Sequence, residues 1–366
     1  MHVFFLVLWL IAVTIQLVYL FMLFWPLLRV NDKSTDLDHK IQASPEVSVI
    51  IIVKNEISNL RQLIPLLLLQ NYQGRWDIHI IDDHSTDGLR EFADSLYSDQ
   101  HHVYFHFSND EVYRGKKQHL VKLKTLATYD WILFTDADCR PNSNGWIQDM
   151  VGHAHSDITL GFSPFFAENT MLNEVIQFET QTTGLLYLGA ANRGNPYMGV
   201  GRNILYKKAA FLSINSLEKF DHIMSGDDDL SVNELAGNVN TSINLEPSTF
   251  MNSIPKNTFK GWINQKARHV STAKFYHGKD QVLLLIYYAS KIGWWLLVPV
   301  LAVWNFKILL AFAVSKWIYF ILYRKLAKDL FRYNWTFLKW VRADLVYLLA
   351  LIALIPASTF KKITRW

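Results

Sequence analysis

The stretch "VSVIIIV", residues 47–53, decides the class of fold. It is an almost unbroken run of β-branched residues, which is typical of a strand that is buried on both faces of a parallel sheet. Further segments with strand character lie at 77–83, 103–107 and 131–135, and segments with helical character separate them at 57–69, 88–96 and 115–127. Strands that alternate with helices predict an α/β domain with a mostly parallel sheet.

Polar side chains are concentrated at the carboxyl ends of these strands, which is where ligands bind to open α/β sheets. Three strands end in acids or amides, and two lysines open the helix before the fourth strand. The side chains are Lys54, Asn55 and Glu56 after the first strand, Asp82 and Asp83 at the second, Asp136 and Asp138 at the fourth, and Lys116 and Lys117 on the helix. We therefore expect one ligand site at this edge of the sheet.

The pair Asp136 and Asp138 places two like charges at the end of a buried strand. Each charge raises the cost of ionising the other. A divalent metal ion offsets that cost, because hard cations take carboxylate oxygens as ligands. The pair therefore predicts a metal site, and the alternative is a solvated loop in which both acids face water.

Two rival interpretations of the acids at the strand ends are disfavoured. The stretch "DDHSTDG", residues 82–88, partly matches the start of a calcium loop. Counted from Asp83, the twelfth position of such a loop is Asp94 where a glutamate is needed, and a strand rather than a helix precedes it. A phosphatase nucleophile also lies after a strand, but Cys139-Arg140-Pro141 stands here in place of the hydroxyl that this chemistry needs.

The apolar residues, which make up 51% of the 366, cluster toward the two ends of the chain. As a helix, the run 3–25 spans about 35 Å, enough to cross a bilayer, and it lacks the basic start and short core of a cleaved signal peptide. Further candidate spans are 282–304, 308–323 and 345–356, of which the last is marginal in length. Lys316 is expected to extend toward a membrane interface.

These patterns divide the chain into four parts. We predict a membrane anchor over 1–30, a polar linker over 31–46, a cytoplasmic α/β domain over 47–280 that ends in interfacial helices, and a membrane region with two or three spans over 281–366. The basic residues that follow the first and third spans place the middle domain in the cytoplasm. The net charge of +4 lies largely beside the spans, which favours contact with membrane lipids over nucleic acid. The single cysteine excludes an internal disulfide.

Five motifs in order resemble those of membrane-bound family-2 glycosyltransferases, over roughly residues 45–272. The resemblance implies their GT-A fold, a Rossmann-like domain with a mixed, mostly parallel sheet. The motifs are "VSVIIIVKNE" (47–56), "IIDDHSTDG" (80–88), "TDADCRP" (135–141), "SGDDDL" (225–230) and "QKARH" (265–269). The third is similar to the DxD motif of the family and the fourth to the acidic motif that supplies its catalytic base. The fifth is similar to its QxxRW motif, with His269 where the family has tryptophan.

The resemblance implies an inverting, metal-dependent hexosyltransferase that uses a nucleotide sugar, with UDP-sugars preferred. It implies Mg²⁺ or Mn²⁺ held by Asp138 with Asp136 nearby, and Asp228 as the base, with Asp227 its neighbour and Asp229 the runner-up. The start of a helix is also where acids serve as caps, which is the alternative for these three. The implied donor-binding residues are Lys54, Asn55, Glu56, Asp83, Lys116, Asp136, Gln265 and Arg268. The implied acceptor residues are Gly199, Gly201 and Arg202, in the glycine-rich stretch 189–206, and His269.

The number of predicted spans is similar to that of ceramide and other lipid glycosyltransferases. We expect a lipid or lipid-linked acceptor, met at the cytoplasmic face of a bacterial inner membrane. Poly-N-acetylglucosamine and hyaluronan synthases share the same motifs and remain the alternative, although the loss of tryptophan at position 269 disfavours polymerisation. A membrane scaffold with an inactive transferase domain is a third hypothesis, which the intact acids disfavour.

Overall fold

The computed structural model describes residues 2–30, 44–96, 102–107, 115–126, 129–152, 156–221, 223 and 225–360. Most of the predicted linker, 31–46, lies outside the described residues. The chain divides into two compact units. The sheet unit lies within 33–166 and 190–256, and the helical unit within 1–32, 167–189 and 257–360. The division assigns 167–189 and 257–280 to the helical unit. The cytoplasmic domain over 47–280 stays a prediction.

The described residues of the sheet unit form nine strands in two sheets. They are β1 Val47–Val53, β2 Trp76–Asp82, β3 Val103–Phe107, β4 Trp131–Thr135, β5 Cys139–Pro141, β6 Ile158–Gly161, β7 Ile204–Lys207, β8 Thr241–Asn244 and β9 Met251–Ser253. The large sheet has the order β3-β2-β1-β4-β7-β6-β8, and β5 pairs with β9 in the small one. The four strands predicted from the sequence are confirmed to within one residue at either end.

The first four strands run parallel to one another, and β7 is antiparallel to both β4 and β6. This is the mixed, mostly parallel sheet that the sequence predicted. All seven residues of β1 are buried, as its β-branched run requires, because β1 lies between β2 and β4 with both faces covered. The parallel register of β1, β2 and β4 brings their carboxyl ends to one edge.

Thirteen α-helices are formed by the described residues. They are α1 His2–Tyr19, α2 Ile57–Leu68, α3 Leu89–Leu96, α4 Lys116–Leu126, α5 Trp146–Gly152, α6 Met171–Asn192, α7 Lys208–Leu212, α8 Ser216–Lys219, α9 Asp229–Leu235, α10 Phe259–Val270, α11 Gly278–Ala302, α12 Lys307–Phe331 and α13 Phe337–Phe360. The three helices predicted between the first four strands are α2, α3 and α4. The core of the sheet unit lies between the sheet and helices such as α2 and α5, with Trp146 fully buried in it.

Polar side chains join the helices of the helical unit. Gln16 on α1 donates from Nε2 to the carbonyl of Tyr287 and to Oγ of Ser290 on α11, each at 2.9 Å. Trp9 donates from Nε1 to the carbonyl of Trp294 at 3.2 Å. Hydrogen bonds of this kind fix the register of two apolar helices, whose van der Waals contacts alone are not directional.

Two helical segments of the described chain are long and apolar enough to cross a membrane, namely His2–Arg29 and Gly278–Ala302. They coincide with the predicted spans 3–25 and 282–304. The segments 308–323 and 345–356 lie inside α12 and α13, helices of 25 and 24 residues that are longer than the sequence indicated.

The expectation for Lys316 is wrong. Its side chain is buried, its Nζ donates to Oδ2 of Asp344 at 2.8 Å, and it lies 3.9 Å from the ring centroid of Trp294. Lys291 donates to the other oxygen of the same carboxylate. A buried partner of opposite charge and the face of an aromatic ring together hold the ammonium group inside the protein.

Candidate active site

Asp83 follows β2 and accepts hydrogen bonds from three directions. Lys54 Nζ lies 3.1 Å from its Oδ2, and the backbone N–H of Gly115 and Nε2 of His119 each lie 3.0 Å from its Oδ1. Burial opposes ionisation of this carboxyl, but these hydrogen bonds and the charge of Lys54 outweigh it and hold the pKa of Asp83 well below its usual range. Asp83 is therefore a fixed negative charge at the carboxyl edge of the sheet.

The turns after β1 and β2 are tied together. Asn55 takes a left-handed conformation, with φ 57°. Its N–H donates to Oγ of Ser85 at 2.8 Å, and its Oδ1 accepts from the N–H of Thr86 at 2.7 Å. Asp87 accepts from the N–H of Ile57, at the start of α2. Ser85 and Asp87, two of the ligands a calcium loop would need, are thus used to shape the turn, which agrees with the rejection of that interpretation.

Glu56 lies directly before α2, where its Oε2 accepts from Nδ2 of Asn59 at 2.6 Å. This is a local contact within the first turn of the helix. The structure brings Lys54 and Asn55 into contact with the turn after β2, and it places Glu56 at the start of the adjoining helix.

Lys116 joins the two acidic motifs of the sheet unit. Its Nζ lies 3.5 Å from Oδ1 of Asp136 and 2.9 Å from Oδ2 of Asp227. Burial alone would lower the pKa of Lys116, but the charges of Asp136, Asp227 and Asp228 raise it above its ordinary value. An ammonium group at the first turn of α4 therefore balances acids that lie 91 positions apart in the sequence.

Asp138 lies in a setting that fits a divalent cation. Burial, and then the charge of Asp136, raises the pKa of its carboxyl, so that ionising both acids of the pair is costly. The Oδ1 of Asp138 lies 3.5 Å from Oγ of Ser253 and from Sγ of Cys139. A cation that takes oxygen ligands would remove the repulsion between the two carboxylates, and the residues present therefore fit such a group.

Asp228 is held by two backbone N–H groups. Its Oδ2 accepts from Gly201 at 2.6 Å and its Oδ1 from Asp229 at 3.0 Å, so that it also serves as the N-cap of α9. Burial and the neighbouring Asp227 raise the pKa of Asp228, whereas the charge of Lys116 and its hydrogen bond overcome burial and lower the pKa of Asp227. The pKa values of the two adjacent carboxyl groups thus differ, and Asp228 holds a proton more readily than Asp227.

The predicted acceptor residues of the sheet unit have defined contacts. Arg202 donates from Nε to Oγ of Ser163 at 2.7 Å, and its guanidinium lies 4.6 Å from the ring centroid of Phe165. A Cβ at Gly199 would lie 2.5 Å from Cδ1 of Ile204, so a larger residue there would displace that side chain. Their role toward an acceptor stays a prediction.

Gln265, Arg268 and His269 lie on α10, in the helical unit. Residues three apart on a helix share a face, so Gln265 and Arg268 lie on the same side of this helix. Gln265 and Arg268 are half-buried, and His269, near the end of the helix, is exposed. Their roles toward donor and acceptor stay predictions.

His119 was not predicted as a site residue, and the contacts of Lys117, which the sequence did place at this edge of the sheet, were not predicted. His119 is buried on α4, 36 positions from its partner Asp83. Lys117 is buried one residue after Lys116, and its Nζ donates to the carbonyls of Phe220 and Ile223, each at 2.8 Å. Lys117 thereby anchors the segment that leads to the acidic motif. A basic helix with lysines at successive positions gives no sign of which lysine points inward.

Comparison with known proteins finds similarity to one family over part of the chain. Residues 48–212 match Glycosyl transferase family 2. No curated protein matches the sequence. Among solved structures, mannosyltransferase PcManGT from Pyrobaculum calidifontis, in complex with GDP-Man and Mn²⁺, is 16% identical over 93% of this chain and 99% of that chain, with a TM-score of 0.55. TarS 1–349 of S. aureus, in complex with UDP-GlcNAc, is 15% identical over 82% of this chain and 91% of that chain, with a TM-score of 0.41. The likeness to the first is one of fold.

Proposed function

From the glycosyl transferase family 2 domain at residues 48–212, we propose that the protein is an inverting, metal-dependent glycosyltransferase that moves a hexose from a nucleotide sugar to a lipid or lipid-linked acceptor. The observation that carries the proposal is Lys116, which contacts both Asp136 and Asp227. One lysine thus brings the acids suited to a diphosphate-bound metal and the acids suited to a base into one site.

The donor end of this site is built around Asp83. A carboxylate that stays ionised accepts hydrogen bonds from the base or ribose of a nucleotide, and Lys54 beside it adds positive charge. The diphosphate would lie near Asp136 and Asp138, whose bound Mg²⁺ or Mn²⁺ would neutralise the charge that grows as the sugar departs. UDP is the expected nucleotide of the donor. Gln265 and Arg268 are proposed to assist at the diphosphate.

The acceptor hydroxyl must lose a proton as it attacks the sugar. We assign this proton to Asp228, because its partly buried carboxyl has a raised pKa and its position is fixed by Gly201 and Asp229. Asp227 is already paired with Lys116 and so is a poorer acceptor of a proton. With one base and no covalent partner, direct displacement inverts the anomeric centre.

A lipid acceptor is proposed because two helices of the described chain have the length and apolar character of membrane spans. The chain would then be an integral protein of a bacterial inner membrane, with its transferase domain in the cytoplasm. A processive polysaccharide synthase is the second candidate. His269, where the resembled motif has tryptophan, favours single transfer.

The test is an incubation of the purified protein with labelled nucleotide sugars, Mg²⁺ or Mn²⁺ and a bacterial lipid extract, followed by partition of the label. We expect label in the organic phase, lost in Asp228→Asn and kept in Asp94→Asn, a matched change of an exposed aspartate on α3. Label in long water-soluble chains would replace the lipid transferase with a synthase. If the protein bound no nucleoside diphosphate in the presence of Mn²⁺, the result would support the scaffold hypothesis instead.

A further inference from the structure

Three potential metal ligands converge at the end of β2. Oδ1 of Asp83 lies 3.0 Å from Nε2 of His119 and 3.5 Å from Nδ1 of His84. The three ligand atoms all lie within 4.8 Å of one another, and they form the one such group of three among the described residues. The group does not include Asp136 or Asp138, so it is separate from the pair already assigned to a metal.

These distances match the edges of a zinc coordination shell. Zinc binds nitrogen and carboxylate oxygen at about 2.0–2.2 Å in a tetrahedron, whose edges are therefore about 3.3–3.6 Å long. The two distances from Asp83 lie within about 0.3 Å of this range. His84 is the side chain with room to complete the shell, since it is 29% exposed whereas Asp83 and His119 are each 1% exposed.

The bonding of Asp83 leaves a lone pair for such an ion. Lys54 occupies Oδ2, and the N–H of Gly115 occupies one lone pair of Oδ1, so the second lone pair of Oδ1, now facing His119, is available for coordination. The other ring nitrogen of His119, Nδ1, is buried with no hydrogen-bond partner in the described part of the chain. Coordination of a metal by Nε2 of His119 therefore breaks a single contact, its hydrogen bond to Oδ1 of Asp83.

We propose that Asp83, His84 and His119 form a binding site for a borderline transition-metal cation of the Zn²⁺ type, with water as the fourth ligand. Two imidazoles and one carboxylate are a ligand set that suits zinc better than Mg²⁺, which prefers oxygen. His84 takes a left-handed backbone conformation, with φ 62°, which is uncommon for a residue other than glycine. The imidazole of His84 lies beside the carboxylate that precedes it, with Nδ1 3.5 Å from Oδ1 of Asp83.

The site has a consequence for the donor, and this part rests on the proposed function. Asp83 is assigned there to the nucleotide. An ion that takes the carboxylate of Asp83 removes an acceptor from the nucleotide, so Zn²⁺ and the nucleoside diphosphate exclude one another. The ion at Asp83 is thus inhibitory, in contrast to the one expected at Asp136 and Asp138.

The test uses Co²⁺, whose four-coordinate complexes absorb strongly in the visible, added to the full chain prepared without a polyhistidine tag. We expect this absorption in the wild type and its loss in His84→Asn and His119→Gln. Added Zn²⁺ should displace the Co²⁺ and remove the absorption. Asparagine tolerates the left-handed backbone at position 84, and glutamine keeps a donor for Asp83, so that both variants stay folded. His277→Gln and Asp136→Asn are the controls and keep the absorption. Its absence from the wild type, or its persistence in both histidine variants, overturns the site.

A second titration separates this inference from the proposed function. The affinity for UDP, and for GDP in parallel, is measured with Mg²⁺ at rising Zn²⁺. At a Zn²⁺ concentration ten times its own Kd, exclusive binding raises the apparent Kd of the nucleotide about elevenfold, and His119→Gln abolishes this rise. An unchanged nucleotide Kd refutes the exclusion. A chain that binds Co²⁺ as expected but neither nucleotide refutes the proposed function and leaves the metal site standing.

Discussion

Replacing Lys116 by glutamine tests whether this lysine is the counterion of the acidic motifs. The change removes the positive charge, shortens the side chain by one atom and leaves Asp227 without its partner at 2.9 Å. Asp227 is 13% exposed and Lys116 18%, so breaking this pair falls at the lower end of the range for buried ion pairs, about 3 kcal/mol. Asp136 is 38% exposed, and its pair with Lys116 adds less than about 1 kcal/mol.

A loss of about 3 kcal/mol corresponds to a fall of about 6–12 °C in the apparent melting temperature of a unit of this size. The measurement is a thermal melt in detergent, followed by tryptophan fluorescence, with a chelator present. Lys122→Gln is the matched control, because Lys122 is exposed on the same helix, and its change should shift the midpoint by less than about 2 °C.

The same melts with Mn²⁺ extend the test to the metal. Without Lys116 the carboxylates of Asp136 and Asp227 repel one another and attract a cation more strongly. Mn²⁺ should therefore raise the melting temperature of Lys116→Gln by more than it raises that of the wild type. Equal melting of Lys116→Gln and Lys122→Gln in the chelator would refute the idea that Lys116 balances these acids.

Two further predictions concern the proposed base, Asp228, and His106 on the outermost strand β3. In Gly201→Ala, the new Cβ would lie 2.9 Å from Oδ2 of Asp228. Displacement of this carboxylate should lower the transfer rate about 100-fold, while the melting temperature stays nearly unchanged. The control is Gly152→Ala, whose new Cβ has nothing within 4 Å and which should leave the transfer rate unchanged. Burial and the charge of His79 lower the pKa of His106 to about 4, whereas a histidine in the unfolded chain titrates near about 6.5. The free energy of unfolding should therefore fall by about 1 kcal/mol from about pH 7 to about pH 5.5. Denaturant unfolding measures this change, and His106→Gln should remove it.

The framework of the site was predictable because it depends on local patterns. A β-branched run such as 47–53 is buried on both faces wherever it lies in a parallel sheet, and the polar residue that follows must emerge at the carboxyl edge. Lys54, Asp83 and Asp136 therefore fall at this edge from the spacing alone. The structure adds their partners, because Lys116 begins a helix whose orientation the strand pattern does not determine.

Contacts between distant parts of the chain were not predictable from one sequence. His119 has the spacing of an ordinary helical residue, and its contact with Asp83 depends on how α4 packs on the sheet. Lys316 is the opposite case. An isolated apolar segment with one lysine favours an extended side chain at a membrane interface, and the acid that buries this lysine, Asp344, lies 28 positions later. A rule applied to one segment at a time cannot supply such a partner.

The charge arrangement argues for Asp228 over its neighbours as the base. Two adjacent carboxyl groups with identical chemistry can divide their roles only if the environment separates their pKa values. Lys116 provides that separation, because it contacts Asp227 directly and lowers its pKa, while burial and the charge of Asp227 raise the pKa of Asp228. Asp227 is then the fixed charge that holds the lysine, and Asp228 is the group able to take a proton. Activity should accordingly rise with pH through the raised pKa of Asp228, and Lys116→Gln should alter that pH profile, which a purely structural lysine would leave in place.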